Sequence, residues 1–506
     1  MVKNKKAQFR FSLSKIFFLA ISLYFFSGCS ESHTPTPQLC DGTGLPLSTA
    51  EVSKIVTDAV SSLGANPATI AVVDRKGAML AVYRNATTTA LNDNLAVSLA
   101  RTGAFFSNNQ APLSSRTVRF ISGIHFPPGV SYTGNAALYG IENTNRGCDL
   151  NLAFNAGKDF PPAKSVNGLP CNATDRSGCG LGITTGKIDF SDQNSSAVNS
   201  GGLPIFRGCT VIGGVGIAGV SQDMSEAIAL SAISSFPPSV FAPGVVLVDG
   251  IRLPFVKQSP APANPGTPTL GAFFIGPNAG TTAPDGYLSG PIASANLTVA
   301  EVLQIVYQAT TTADRTRAAI RLPMGLTTRM AIAVSDLNGN IIALFRMPDS
   351  TFFSIDVAVA KARNVVYFSG AGVTDLPGVP SGTAITNRTL SFGGQPLYPP
   401  GIDGSAPGPF KKLFEDDTAT ACSLGSQASN LNQNGIVFFP GSLPLYKNGV
   451  LIGGLGVSGD GVEQDDYVSW HGGAGFHPKV AIRADQVFIE GARLPFIKFP
   501  RNPEAR

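Results

Sequence analysis

Leu47-Ser48-Thr49-Ala50-Glu51-Val52 and Leu297-Thr298-Val299-Ala300-Glu301-Val302 are one pattern written twice. Each reads as a helix start. The hydroxyl of Ser48 or Thr298 is the N-cap, and the Glu three positions later closes a capping box. Leu before the cap and Val after the Glu form a hydrophobic staple. Val52, Ile55, Val56, Ala59, Val60 and Leu63 then keep helical spacing.

Downstream, the repetition continues. Thr69 to Asp74 leads to Gly77, and Met330 to Asp336 leads to Gly339. A second apolar run follows each, ending in Arg84 and Arg346. Both read as β-hairpins whose Asp and Gly serve the turn. A second helix is expected over Leu95 to Phe106 and over Asp356 to Phe368, with Arg101 and Arg363 in equivalent places. Long Gly-, Pro-, Ser- and Asn-rich stretches follow, at about 108–202 and 370–442, and read as insertions. The pattern returns with Leu203-Pro204-Ile205-Phe206 and Leu443-Pro444-Leu445-Tyr446. The strands after them run Ile212 to Gly219 and Ile452 to Gly459. A short helix is expected near Asp223 to Ser234 and Gln464 to Trp470. A last strand is expected to reach Arg252-Leu253-Pro254-Phe255 and Arg493-Leu494-Pro495-Phe496. The order α-β-β-α, insertion, β-β-α-β predicts an α+β fold with a mainly antiparallel sheet in each of two domains, 47–257 and 297–498. Residues 258–296 contain no Lys or Arg and read as a linker, and 499–506 as a tail.

The N-terminus sets the compartment. Lys3, Lys5, Lys6, Arg10 and Lys15 precede an apolar stretch, Ile16 to Phe26, too short to span a bilayer. Residues 1–28 therefore read as a signal peptide. Phe26-Ser27-Gly28-Cys29 resembles the bacterial lipobox, with Cys29 as the lipidated residue and 29–46 as a polar tether. Ser30 after the Cys resembles the signal for an outer-membrane or cell-surface lipoprotein, periplasm-facing or outward. The signal segment holds five of the 37 Lys+Arg and none of the 33 Asp+Glu, which leaves 32 against 33. No basic cluster survives, so nucleic-acid binding has no electrostatic basis. Without Cys29, six cysteines remain, and an oxidising compartment favours disulfides. Cys171 and Cys179 are the best local pair.

The residues Leu297 to Glu301, Met330 to Gly339, Ser354 to Arg363 and the Gly-rich Ile452 to Gly459 resemble the GlcG/HbpS-like family of haem-binding domains, also found at the C-terminus of PduO-type cobalamin adenosyltransferases. The first copy departs from this pattern, with Asn94 where the second has Asp356 and Leu99 where it has Lys361. The resemblance implies a profilin-like fold in each copy and frequent association of domains. Here that becomes an intrachain pseudo-dimer. For some members it also implies haem or another tetrapyrrole. Characterised haem binders tend to carry a His in the first helix, and Ser53 to Gly64 and Leu303 to Ala313 contain none.

Arg346, Asp356, Lys361, Arg363, Gly453, Gly454, Gly456 and His471 are the candidate cofactor-binding residues. Lys361 and Arg363 read as a solvated face or a salt bridge to Asp356, or else as an anion or propionate clamp at the domain edge. Both copies contain G-x-G-x-x-G, at Gly214 to Gly219 and Gly454 to Gly459. It falls late in each domain, on the return strand of a hairpin, and not between the strand and helix of a dinucleotide fold. Its glycines serve either close helix packing or a bare pocket wall. His471 and His477 could converge on a metal or a haem iron; His33 and His125 lie in the tether and the first insertion. No catalytic constellation or metal-ligand spacing stands out. The expectation is a cell-envelope lipoprotein that binds a small ligand, with haem as the candidate cofactor. The alternative is a structural or interaction lipoprotein whose enlarged loops contact envelope proteins. An enzymatic role rests on the family name alone.

Overall fold

The computed structural model describes residues 44–85, 90–123, 140–154, 166, 183, 199–238, 245–248, 251–257, 271–400, 402, 404–420 and 422–504. Residues 1–28, read above as a signal peptide, and Cys29, His33, Cys40, His125, Cys171 and Cys179 lie outside them.

The first helix, α1 (Thr49–Leu63), begins at its capping box: Glu51 N donates to Ser48 Oγ, and Ser48 N donates to the Glu51 carboxylate at 2.8 Å. Its buried face is Val52, Ile55, Val56, Ala59 and Leu63. Strands β1 (Thr69–Asp74) and β2 (Met79–Arg84) form an antiparallel hairpin. The Asp74 carboxylate closes the turn by accepting from Lys76 N and Ala78 N, both at 2.9 Å, and Gly77 takes the positive φ that the turn needs. Helix α2 (Ala90–Phe106) and helix α3 (Ser115–Gly123) follow. The hairpin β3 (Gly202–Arg207) and β4 (Thr210–Ala218) places β4 antiparallel to β1, and α4 (Gln222–Ala232) packs against α1. A small hairpin, β5 (Val245–Val248) with β6 (Ile251–Pro254), ends this half. Next in the chain come two four-residue strands, β7 (Ala272–Ile275) and β8 (Gly286–Ser289).

The second half repeats the order. Helix α5 (Val299–Ala313) has its own capping box, β9 (Ala331–Ser335) pairs with β10 (Ile341–Arg346), and α6 (Phe353–Phe368) crosses the sheet. Helices α7 (Asn387–Gly394) and α8 (Lys411–Ala419) precede the hairpin β11 (Ser442–Lys447) and β12 (Val450–Ser458). Helix α9 (Val462–Gly472) packs on α5, and the hairpin β13 (Phe488–Ile489) with β14 (Ala492–Arg493) lies near the end. The two five-stranded sheets share one order, β3-β4-β1-β2-β7 and β11-β12-β9-β10-β8, with every pairing antiparallel. The α+β class expected from the pattern is the one observed.

The structure corrects three expectations. The stretch read as a linker supplies an edge strand to each sheet: β7 to the first half and β8 to the second. The final strands stay out of the main sheets. Their Arg-Leu-Pro-Phe ends instead accept hydrogen bonds at the starts of α3 and α7. Thr117 Oγ1 donates to Pro254 O at 3.0 Å, and in the second half Thr389 Oγ1 donates to Pro495 O at 2.7 Å. The stretches read as divergent insertions therefore contain a shared element, Arg116-Thr117 matching Arg388-Thr389.

The halves pack against each other within one compact unit, Cys40–Arg506. Phe106 stacks on Phe353 at 4.3 Å between centroids, Phe105 meets Phe352 at 5.4 Å, and Phe352 N donates to Phe105 O at 2.9 Å. All four rings are buried. Each such pair adds roughly 0.5–1.5 kcal/mol beyond its area. Farther out, Asn145 N donates to Asp356, Asn151 N donates to Leu431 O, and Arg146 pairs with Asp417. A disulfide joins Cys148 to Cys422. The two insertions are thus bonded to one another. Cys209, at the β3–β4 turn, is also disulfide-bonded.

Candidate functional site

The polar residues singled out in the second half sit inside the molecule. Lys361 is fully buried on α6; its ammonium donates to Val457 O at 2.8 Å and to Asp465 Oδ2 at 3.0 Å, and lies over the Phe439 ring. Burial pushes the Asp465 carboxyl up to about 7 and pulls the Lys361 ammonium down, while each charge opposes the other's shift. Beside this pair, Asp466 accepts from Arg388, from Gly441 N at 2.9 Å and from Lys498 N at 3.1 Å.

Arg363 is equally enclosed. It donates to Gly339 O at 2.9 Å and to the side-chain oxygens of Asn434 and Asn432. Burial lowers its pKa to about 10. Asp356 accepts from Asn434 Nδ2 at 3.0 Å and from Asn145 N of the first half at 2.8 Å, so Asn434 bridges Asp356 to Arg363. Burial raises the Asp356 carboxyl. Arg346 is buried too. It binds Asp285, Pro284 O and Ser350 O, and lies over Phe352. The expectation of a solvated face or a salt bridge to Asp356 is corrected: both cations are buried, and Lys361 pairs with another carboxylate. Lys361 belongs to Asp465, a partner on α9 that spacing could not reveal. Arg363 instead tethers the β9–β10 turn to the second insertion.

The glycines of β12 are accounted for by packing. A Cβ on Gly456 would collide with the Ala358 carbonyl, one on Gly454 with the Ala362 carbonyl, and one on Gly453 with the Ser335 carbonyl. Gly214 and Gly216 of β4 meet Ala100 O and Ala96 O in the same way. At Gly454, Gly456, Gly214 and Gly216 the helix crosses the strand with no room for a side chain, and at Gly453 the neighbouring strand β9 fills the space, which is the close-packing reading of the motif.

His471 stands apart from this interior. It lies in the last turn of α9, half-buried, and its Nδ1 is 2.9 Å from Tyr467 O. A carbonyl only accepts, so Nδ1 carries the proton, and in the neutral ring Nε2 keeps its lone pair. The Tyr467 ring is 4.2 Å from the imidazole, and the Phe499 ring is 5.8 Å from it. Phe499 also leans edge-on against Tyr467 at 5.2 Å and reaches Trp470 at 6.4 Å. His477 stacks on Trp470 at 3.8 Å, and its Nε2 donates to Trp470 O at 2.8 Å. Burial lowers the His477 pKa. Tyr467, Trp470 and Phe499 were missed from sequence. The signal that could have found Tyr467 is its place one helical turn before His471; the only sequence mark of Trp470 and Phe499 is the lack of an aromatic counterpart in the first half.

Comparison with known proteins falls on this half. Residues 307–472 match the HbpS-like family. Its description reads haem degrading protein HbpS-like, and the matched span runs from within α5 to the end of α9. The corrinoid adenosyltransferase PduO of Salmonella typhimurium is 27% identical over 150 residues, 30% of this chain and 33% of that protein. The chain thus spans about a third of the length of that relative. Among solved structures, a complex of PduOC with haem is 23% identical, covering 36% of this chain and 94% of that one, with a TM-score of 0.24. A double mutant of Streptomyces reticuli HbpS is 18% identical, covering 38% and 97%, with a TM-score of 0.22.

Proposed function

We propose that this protein is a cell-envelope lipoprotein whose HbpS-like second half binds a small ligand, haem or another tetrapyrrole. The carrying observation is that the match at 307–472 falls on the half that holds His471, with a bare Nε2 flanked by aromatic rings. A neutral imidazole is an iron ligand, and flat apolar rings suit a porphyrin face. The donor set therefore fits the group. Lys361 and Arg363, engaged inside, are left out of the site. The envelope assignment rests on the basic, apolar and Cys29-containing N-terminus.

Titrating the full chain with ferric haem tests the ligand. The expected result is a shifted Soret band saturating at one haem per chain. Intact mass of the protein from membranes tests acylation at Cys29. The competing reading gives the enlarged loops to an envelope partner. Against it, their described parts at 140–154, 411–420 and 422–435 are joined to each other through Cys148–Cys422, Arg146–Asp417 and Asn151–Leu431. A flat titration would restore it.

A further inference from the structure

We infer that the outer face of α9 is the receiving face for a planar metallomacrocycle, with His471 Nε2 as the ligand presented to its metal and Tyr467 and Phe499 as the flanking walls. This rests on the tetrapyrrole reading above and places the site within it. Three observations carry it.

The first is the fixed tautomer. Holding Nδ1–H on the Tyr467 carbonyl orients the ring and, in neutral imidazole, puts the lone pair on Nε2, the arrangement by which an outer hydrogen bond prepares a histidine for a metal. Among the described residues, Nε2 makes no hydrogen bond.

The second is the internal control supplied by the first half. Helix α4 is the counterpart of α9, with the same length and the same packing on the helix that opens its half. The equivalence is anchored by Phe206 N donating to Phe236 O and Tyr446 N to Phe476 O. At the places of Tyr467, Trp470, His471 and His477, the first half has Ala227, Leu230, Ser231 and Pro237. The element forms with none of these rings, so its fold does not require them. Ser231 instead bonds its hydroxyl to Ser62 on α1.

The third is access. Phe499 is 43% exposed, and Tyr467, Trp470 and His471 are each half-buried. Large aromatic side chains gathered at the surface around a nitrogen lone pair lose little by accepting a flat apolar partner, and they remove its surface from water.

The test uses the full chain, ferric haem and the variants His471→Ser and His471→Gly, the serine being the first half's own residue. Wild type is expected to give an imidazole-ligated Soret spectrum. His471→Ser should lose that signature and bind at least about tenfold more weakly. Added imidazole should restore the spectrum in His471→Gly, a rescue that a merely structural residue would not show. Circular dichroism of the variants should match wild type. Haem binding with unchanged spectrum and affinity in His471→Ser overturns the site and leaves the tetrapyrrole reading standing. The absence of any Soret shift in wild type overturns both. Trp470, the one tryptophan in the sequence, adds a second readout, because its emission should be quenched stoichiometrically during the titration.

Discussion

Replacing Lys361 with leucine should be severely destabilising, and replacing Asp465 with serine as well should repair it. The first half provides the rationale. Leu99 occupies the position of Lys361 on α2, and Ser225 that of Asp465 on α4, so both charges are absent together. The geometry around them is alike: the neighbouring glycine, Gly441 or Gly201, lies against Asp465 Cβ or Ser225 Cβ. In the second half the ammonium and carboxylate sit 3.0 Å apart, at 0% and 3% side-chain exposure. Removing one member of such a pair costs roughly 3–5 kcal/mol, because the other is left buried and uncompensated, whereas exchanging both for uncharged groups is often neutral. Asp465 Oδ1 already has no hydrogen-bond partner, which leaves the carboxylate little to fall back on. Denaturant unfolding of wild type, Lys361→Leu, Asp465→Ser and the double variant measures the coupling. The single lysine change should cost about 3 kcal/mol or more, and the double change about 1 kcal/mol or less. The penalty should also grow with pH. A carboxyl whose folded pKa is raised binds its proton more tightly when folded, so the folded state gains at low pH and loses as pH rises. A Lys361→Leu cost below about 1 kcal/mol, or a double variant as unstable as the single, would refute the reasoning.

Three further outcomes are expected. Gly456→Ala should lower the melting temperature sharply, by overpacking worth about 1–3 kcal/mol or more, because its Cβ meets the Ala358 carbonyl; Gly372→Ala, with nothing near its Cβ, controls for local chain effects apart from its own positive φ. Cys148→Ser with Cys422→Ser should lower stability by about 2–4 kcal/mol, since the bond closes a loop between residues 274 apart, and peptide mapping without reductant should recover that cross-link. Acid should weaken the start of α1: the Arg207 hydrogen bond holds Glu51 down at about 2, so its contribution is present above 4.5 and is lost as pH falls toward 2. Glu51→Gln should flatten that part of a stability-against-pH curve.

Much of the architecture is legible in local chemistry. The capping boxes of Ser48 and Thr298, the Asp-x-x-Gly turns and the Leu-Pro hairpins are short-range signals, and each element stands where they place it. What escapes is long-range. Strands β7 and β8 are four residues each, too short to announce themselves among Pro and Gly, and they exist because β2 and β10 offer open edges. The Lys361–Asp465 pair joins residues 104 apart. Reading Lys361 as a surface residue follows from composition alone, since lysine is seldom buried unless paired. His471 was visible as a residue, but its fixed tautomer depends on a hydrogen bond to Tyr467 O that exists only once the helix turn has formed.

The placement of β7 also sets how the chain can be divided. The first half draws its fifth strand from residues that follow its own last hairpin, while the matching strand of the second half precedes that half's first helix. The segment Ala272–Ser289 acts as a clasp with one finger in each sheet. A first half truncated ahead of it would keep only four strands in its sheet and bare the β2 edge, an aggregation-prone template. A second half begun after Ser289 would lose its edge strand instead. Neither half can be excised whole and tested alone by trimming at its apparent boundary; the piece to keep is the clasp together with both of its sheets.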